Sequence, residues 1–219
     1  MKILSVSSIE IPDIKVIRFG RFSDLRGYFT EPFRKSVFFN HPDLKECMDG
    51  IEFVQTNESF SKKGVIRGLH FQWNPYMFKL VRTVSGHMLD LFLDIRKGSP
   101  TFGKIMAYDM PTSTDAAYGE WIWVPAGFAH GNLFFEDTRI EYFCSGEYSQ
   151  GCEAGISPLA PDLDWSLCDP ALKGIFDSVV AGDCLMTDKD RNGLSLAQWV
   201  ADERSNNFIY GVCDKPGRG

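Results

Sequence analysis

No run of 18 apolar residues occurs in this 219-residue chain, so it holds no stretch suited to crossing a bilayer as a helix. The start, Met1-Lys2-Ile3-Leu4-Ser5-Val6, is too short and too polar for a signal peptide, and we expect a soluble, cytoplasmic protein without a membrane partner. Basic residues are in deficit: 23 Lys and Arg face 29 Asp and Glu, for a net charge of −6. That balance leaves no basic footprint for nucleic acid, and an anionic ligand would need a local basic pocket. The six cysteines, Cys47, Cys144, Cys152, Cys168, Cys184 and Cys213, form no CxxC or CxxH pair, which argues against a zinc site and for reduced thiols. Histidine is scarce, with four in all and no HxH. Long segments of 3.6-residue periodicity are few, and internal repeats and low-complexity stretches are absent.

What the chain does have is 18 Phe, 5 Trp and 20 Gly in short alternating runs, the composition of an all-β architecture with many turns. The length suits one domain, assigned to residues 1–204, with residues 205–219 as a mobile C-terminal tail. Residues 1–20 read as short edge strands around Pro12, and residues 22–33 as a turn with Asp24, Arg26 and Gly27 that leads into an aromatic strand. Lys35 to Met48 should hold one short helix, and Ser195 to Asp202 a second near the C-terminus. Strands are expected over 53–59, 64–72, 79–94, 103–108 and 139–144, with a polar hairpin loop at 111–120. Beyond Cys144 the chain reads as mostly loop.

Two stretches carry chemistry. In Gly64-Val65-Ile66-Arg67-Gly68-Leu69-His70-Phe71-Gln72, plain alternation places Arg67, Leu69 and Phe71 on one face and Ile66, Gly68, His70 and Gln72 on the other. His70 then reads either as a satisfied core histidine or as a base, and Lys79-Leu80-Val81-Arg82 brings a cation to the next strand. On 53–59, Gln55, Asn57 and Ser59 share a face that is either solvated or built to read a sugar or base edge. The second stretch, Pro125-Ala126-Gly127-Phe128-Ala129-His130-Gly131, has the P-x-G-x-x-H spacing of the second cupin motif. A metal-binding cupin would also need an HxH and a glutamate from an earlier motif, and His87 stands alone.

Taken together, Asp24-Leu25-Arg26-Gly27 with Glu31, Gln55 to Ser59, Arg67 to Gln72, Lys79 to Arg82, Arg96 to Gly103 and Pro125 to Gly131 resemble the dTDP-4-dehydrorhamnose 3,5-epimerase family. They run in family order from about residue 10 to 200. The resemblance implies a cupin or jelly-roll double-stranded β-barrel with short flanking helices, usually a homodimer, free of metal and cofactor. Its substrate would be a nucleoside-diphosphate 4-keto-6-deoxysugar, epimerised at C3, C5 or both through an enolate. By the same resemblance His70 is the base, Asp190 its carboxylate partner and Lys79 the cation at the enolate oxygen. Arg26, Glu31, Gln55, Asn57, Arg67 and His130 match substrate contacts, with Arg26 and Arg67 suited to the phosphates, and Tyr148 is similar to a tyrosine that stacks on the nucleobase.

The chemistry supports these types, since a carbon acid needs a base titrating near neutrality and a developing enolate needs a fixed positive charge. One departure stands out. Aligned through Glu141 and Glu153, with the loop between them two residues short, Cys144 occupies the place of the family's acid tyrosine. Tyr142 is then a candidate displaced acid. Two alternatives follow: an enol-based sugar isomerase that uses His70 without an opposite-face acid, and a non-catalytic nucleotide-sugar-binding cupin.

Overall fold

Alternating inward and outward side chains on two antiparallel sheets produce the layering of this protein, seen in a computed structural model that describes residues 1–182 and 184–214. The larger sheet combines β1 (Ile3–Ser8), β2 (Lys15–Gly20), β5 (Gln55–Ser61), β7 (Lys79–Ser85), β10 (Tyr118–Val124) and β12 (Thr138–Cys144), in the order β1-β2-β10-β7-β12-β5. The second sheet has the order β13-β6-β11-β8-β9, built from β6 (Ile66–Gln72), β8 (His87–Asp94), β9 (Ile105–Pro111), β11 (Phe128–Phe134) and β13 (Glu153–Gly155). A separate hairpin pairs β3 (Phe22–Asp24) with β4 (Gly27–Phe29). The all-β expectation holds, and the paired antiparallel sheets form the expected cupin-type jelly roll.

Three apolar layers follow from the alternation. Between the sheets lie Val81, Met88, Phe92, Ile122, Phe134 and Ile140, with Ile11 and Ile14 from the β1–β2 connection. Outside the larger sheet, Trp121, Trp123 and Leu80 are covered by Phe38, Leu44 and Met48. Outside the second sheet, Leu69, Phe71, Leu89, Leu91 and Leu93 are covered by Phe176, Trp199 and Phe208. The short early helix is α1 (Lys35–Phe39), and the chain continues through turns to Gly50. Near the C-terminus α4 (Leu196–Ala201) lies where the capping box of Ser195 and Gln198 starts it.

Several details differ from the sequence expectation. Of the two strands within residues 1–20 only β1 lies at an edge, because β10 pairs with β2 on its other side. The hairpin loop shrinks to 112–117, since Tyr118, Gly119 and Glu120 pair with β2. The region after Cys144 contains the longest helix, α2 (Pro170–Ala181), with Asp169 as its N-cap and Pro170 in its first turn. Its single buried residue, Phe176, leaves a weak apolar period to read.

The expected tail is docked as far as residue 214. Phe208 and Cys213 are fully buried, Lys97 bridges to Ile209, and Asp214 meets the guanidinium of Arg96. Arg96 is itself fully buried and also pairs with Asp94 and Asp13. A buried cation calls for several carboxylates around it, and here they come from three distant parts of the chain. Residues 215–219 of the expected tail lie outside the described residues.

Candidate active site

At one end of the barrel the side chains between the sheets change from apolar to polar. They enclose a cavity of about 310 Å³ lined by Arg67, His70, Lys79, His130, Tyr142 and Asp190, with Ser59, Asn132, Thr187 and Lys189. Seven of these ten residues project from strands, which fixes their directions. Asp190 and Lys189 belong to α3 (Asp188–Arg191), a single turn capped by the Thr187 side chain on the Asp190 backbone N–H.

The most specific contact is between His70 and Asp190, whose Nε2 and Oδ1 are 2.6 Å apart. Asp190 is buried and His70 is half-buried. Burial works against the Asp190 carboxylate, yet the His70 hydrogen bond and charge outweigh it and leave its pKa below the ordinary value. An ionised Asp190 accepts from Nε2–H, so Nδ1 remains as the basic nitrogen.

Arg67 reaches the same cavity as His70, contrary to the alternation expected for β6. The β6–β11 register shifts between the pairs His130↔His70 and Asn132↔Arg67, so one extra residue is accommodated at Gly68. Gly68 has φ +112, and a Cβ there would come within 2.6 Å of the Gly131 Cα. Glycine at both 68 and 131 therefore permits the bulge, and the bulge turns Arg67 inward with His70. Arg67 donates from Nε to Ser61 Oγ at 2.9 Å.

Lys79 faces inward beside Cys144, its register partner on β12. Burial pushes its ammonium below the ordinary lysine value, with Cys144 and Asp90 partly opposing. Tyr142 also faces inward. Burial, then the Cys144 thiol, raises its phenol pKa, so the group is a neutral donor near pH 7. Cys144 is almost fully buried, lies 3.7 Å from the Asn57 amide nitrogen, and is not among the cavity's lining residues.

His130 is buried, and its Nε2 is 2.7 Å from Asp90 Oδ1. Burial lowers its pKa, Asp90 opposes, and the nearby Lys79 and His70 reinforce the shift, so the ring is neutral. Gln55 and Asn57 share a face of β5 as expected, and that face is turned inward, where the two bond to each other at 3.1 Å. Gln55 also accepts from the Tyr148 backbone N–H, which brings the exposed Tyr148 to the rim. The Tyr148 hydroxyl donates to Glu153, which also pairs with Lys189.

Arg26 and Glu31 are not at this cavity. Arg26 is exposed on the β3–β4 turn and pairs with Asp24, and Glu31 pairs with Arg34 and the N-terminus. Residues overlooked in the sequence include Asp90, Asn132, Glu153 and Lys189. Asp90 carried one signal: a carboxylate at an inward position of the otherwise apolar run 88–93. Lys189 carried another, as the neighbour of Asp190. Among the described residues no three His, Cys, Asp or Glu side chains gather to hold a metal ion. No helix of the described residues is long and apolar enough to cross a membrane.

Comparison with known proteins adds to this geometry. The family model described as dTDP-4-dehydrorhamnose 3,5-epimerase matches residues 8–198. The chain is 38% identical over 194 residues to the dTDP-4-dehydrorhamnose 3,5-epimerase of Shigella flexneri, an alignment that spans 87% of this chain and 94% of the relative. Its fold is similar, with a TM-score of 0.75 and 29% identity, to dTDP-6-deoxy-D-glucose-3,5-epimerase of Legionella pneumophila in complex with dTDP-4-keto-L-rhamnose, covering 94% of this chain and 97% of that one. It is similar as well to a 3'-monoepimerase of Streptomyces bikiniensis in complex with dTDP-quinovose, with a TM-score of 0.72, 27% identity and 89% of each chain covered. With its two-sheet barrel, its inward His70 and Asp190 and a family match across most of its length, this chain belongs to the dTDP-4-dehydrorhamnose 3,5-epimerase family.

Proposed function

We propose that this protein epimerises a nucleoside-diphosphate 4-keto-6-deoxysugar next to its ketone, through an enolate, with His70 as base and Tyr142 as acid. The observation that carries the reading is the gathering of the His70–Asp190 pair, the Lys79 ammonium and the Tyr142 phenol around one cavity. In this reading Nδ1 of His70 removes a proton from the carbon beside C4, and Asp190 supports the imidazolium that forms. The ketone oxygen gains negative charge, and Lys79 stabilises it. Tyr142 then returns a proton to the opposite face, and the configuration is inverted. A fixed donor at such an oxygen is worth about 2.7–4 kcal/mol of barrier.

Assigning the acid to Tyr142 revises the expectation that Cys144 fills the tyrosine's place. Cys144 is packed against Asn57, and the phenol lines the cavity. No displaced group is then needed, and the standard reaction is the simpler reading. A base, a cation and an acid together also favour an enzyme over a non-catalytic binder.

Arg26 and Glu31 enter this reading through a second copy of the chain. The β3–β4 hairpin exposes Phe22, Leu25 and Phe29 to solvent, and Arg26 projects from its turn. In a homodimer such a hairpin can cover the neighbour's cavity and bring Arg26 to the diphosphate, whose charge suits a guanidinium fork. Light scattering on the purified chain should give twice the monomer mass.

Incubation with dTDP-4-keto-6-deoxysugars in D₂O, read by NMR at C3 and C5, tests the reaction. Deuterium should enter with inversion at one or both carbons, and His70→Ala should abolish the exchange, a loss of about 10²-fold or more. Full exchange in that variant would remove His70 from the mechanism. Deuterium at C3 alone would place the protein with the monoepimerases, and exchange that never leads to inversion would favour the enol isomerase.

A further inference from the structure

The inward face of β8 reads Met88, Asp90, Phe92, so a carboxylate lies in the barrel between two core side chains. Asp90 is fully buried. Its Oδ1 accepts from Asn132 Nδ2 at 2.5 Å and from His130 Nε2 at 2.7 Å. Its Oδ2 is also buried and meets no hydrogen-bond partner among the described residues. Both donors to Oδ1 line the cavity, and Asp90 stands behind them.

A buried carboxylate satisfied on one oxygen alone is costly unless a positive charge lies close by. His130 does not supply it, because burial keeps that ring neutral. The other charged and titratable groups of the cavity wall are Arg67 and His70 on β6, Lys79 on β7, Tyr142 on β12, and Lys189 and Asp190 on α3, with Cys144 behind Lys79. Asp190 is taken up by His70, and Lys189 by Glu153. Lys79 makes no salt bridge among the described residues, and the groups acting on its charge are Cys144 and Asp90. The thiol is itself pushed up by burial and stays neutral near pH 7, which leaves the Asp90 carboxylate, with its unpartnered Oδ2, as the acidic group acting on Lys79.

We propose that Asp90 is a positioning residue for the reaction described above, holding His130 as an Nε2–H imidazole through Oδ1 and serving as the buried counter-charge of the Lys79 ammonium. This inference rests on the epimerase reading. Its two halves divide the polar work of the cavity. With its proton committed to Asp90, His130 turns an unprotonated Nδ1 toward other partners. It can accept from a sugar hydroxyl and cannot donate to the ketone or enolate oxygen. The positive charge that oxygen needs falls to Lys79, and Asp90 keeps it available inside a site that disfavours charge.

Asp90→Asn tests this, since the amide preserves shape and still accepts at one oxygen. In the variant, kcat should fall by about tenfold or more while KM changes little. The basic limb of log kcat against pH should move to lower pH by about one unit, because the lysine loses the charge that favours its ammonium. A variant with the parent's kcat and a superimposable pH profile would overturn the proposal. A purely structural role would lower the amount of folded enzyme without moving that limb.

Should the variant fail to fold, ¹⁵N-histidine NMR of the unaltered protein decides the first half. The His130 signals should report a neutral ring protonated at Nε2, and an Nδ1–H tautomer or an imidazolium would overturn the assignment. ¹³C-lysine NMR decides the second half in the same sample. Lys79 should be an ammonium at neutral pH, and a neutral amine would overturn the counter-charge role. Neither spectrum needs turnover, so a protein that epimerises nothing would refute the reaction and leave these two readouts standing.

Discussion

Tyr142 and Cys144 lie two residues apart on β12 and face the same barrel interior, yet only Tyr142 is among the residues lining the cavity that holds His70. The strands set this difference. Tyr142 pairs with Val81 and Asn57, and Cys144 with Lys79 and Gln55, one step nearer the strand end and packed under the Asn57 amide. Tyr142→Phe should therefore suppress inversion by about 10²-fold or more and leave His70-dependent deuterium exchange in place. Cys144→Ser should invert substrate at close to the parent rate. NMR in D₂O reads exchange and inversion separately, and a large loss of inversion in the serine variant would return the acid role to the thiol.

Burial pushes the Lys79 ammonium below the ordinary lysine value of 10.5. In the proposed reaction the charge it offers the enolate is lost as pH rises through that lowered pKa, so the basic limb of kcat should sit below the ordinary lysine range. Lys79→Gln should cost about 2.7–4 kcal/mol in barrier at neutral pH and flatten that limb. A variant that keeps the same basic limb would assign it to another group.

Gly68 carries the bulge that aims Arg67 and His70 together. An alanine there would meet Gly131 Cα at 2.6 Å and His130 O at 2.8 Å in a φ region that L-residues rarely occupy. Both contacts are backbone, so relief requires β6 and β11 to part. Gly68→Ala should destabilise the fold by about 1–3 kcal/mol and disturb the cavity, as read by urea unfolding and by the rate of exchange. An unchanged unfolding midpoint would show that the strands yield freely.

Arg96 joins Asp94, Asp13 and Asp214, and its guanidinium stacks near Phe128 and Tyr210. Arg96→Gln leaves the fully buried Asp94 with its two hydroxyl partners, Ser99 and Thr101, and no counter-charge. A loss of about 3–5 kcal/mol in unfolding free energy is expected. Truncation after residue 207 should likewise lower the melting temperature, because it removes the buried Phe208 and Cys213 from the layer over the second sheet. Truncation without effect would restore the view of these residues as a tail.

The chain alone determined the sheet-rich class, the shared face of Gln55, Asn57 and Ser59 and the short helices near residues 35 and 196, while the roles proposed for His70, Lys79 and Asp190 came from its resemblance to the family. The structural features are local or periodic: alternation along strands and short helical runs. Tertiary structure decided what depends on partners far along the chain. It set the bulge at Gly68, because that register belongs to the pairing with β11 and the close approach of Gly131. It placed Tyr142 at the cavity and Cys144 behind it, since depth along a barrel strand is fixed by neighbouring strands and not by spacing on one. It also docked residues 205–214, because a buried Arg96 collects carboxylates separated by most of the sequence, and no local pattern records where a buried charge finds its partners.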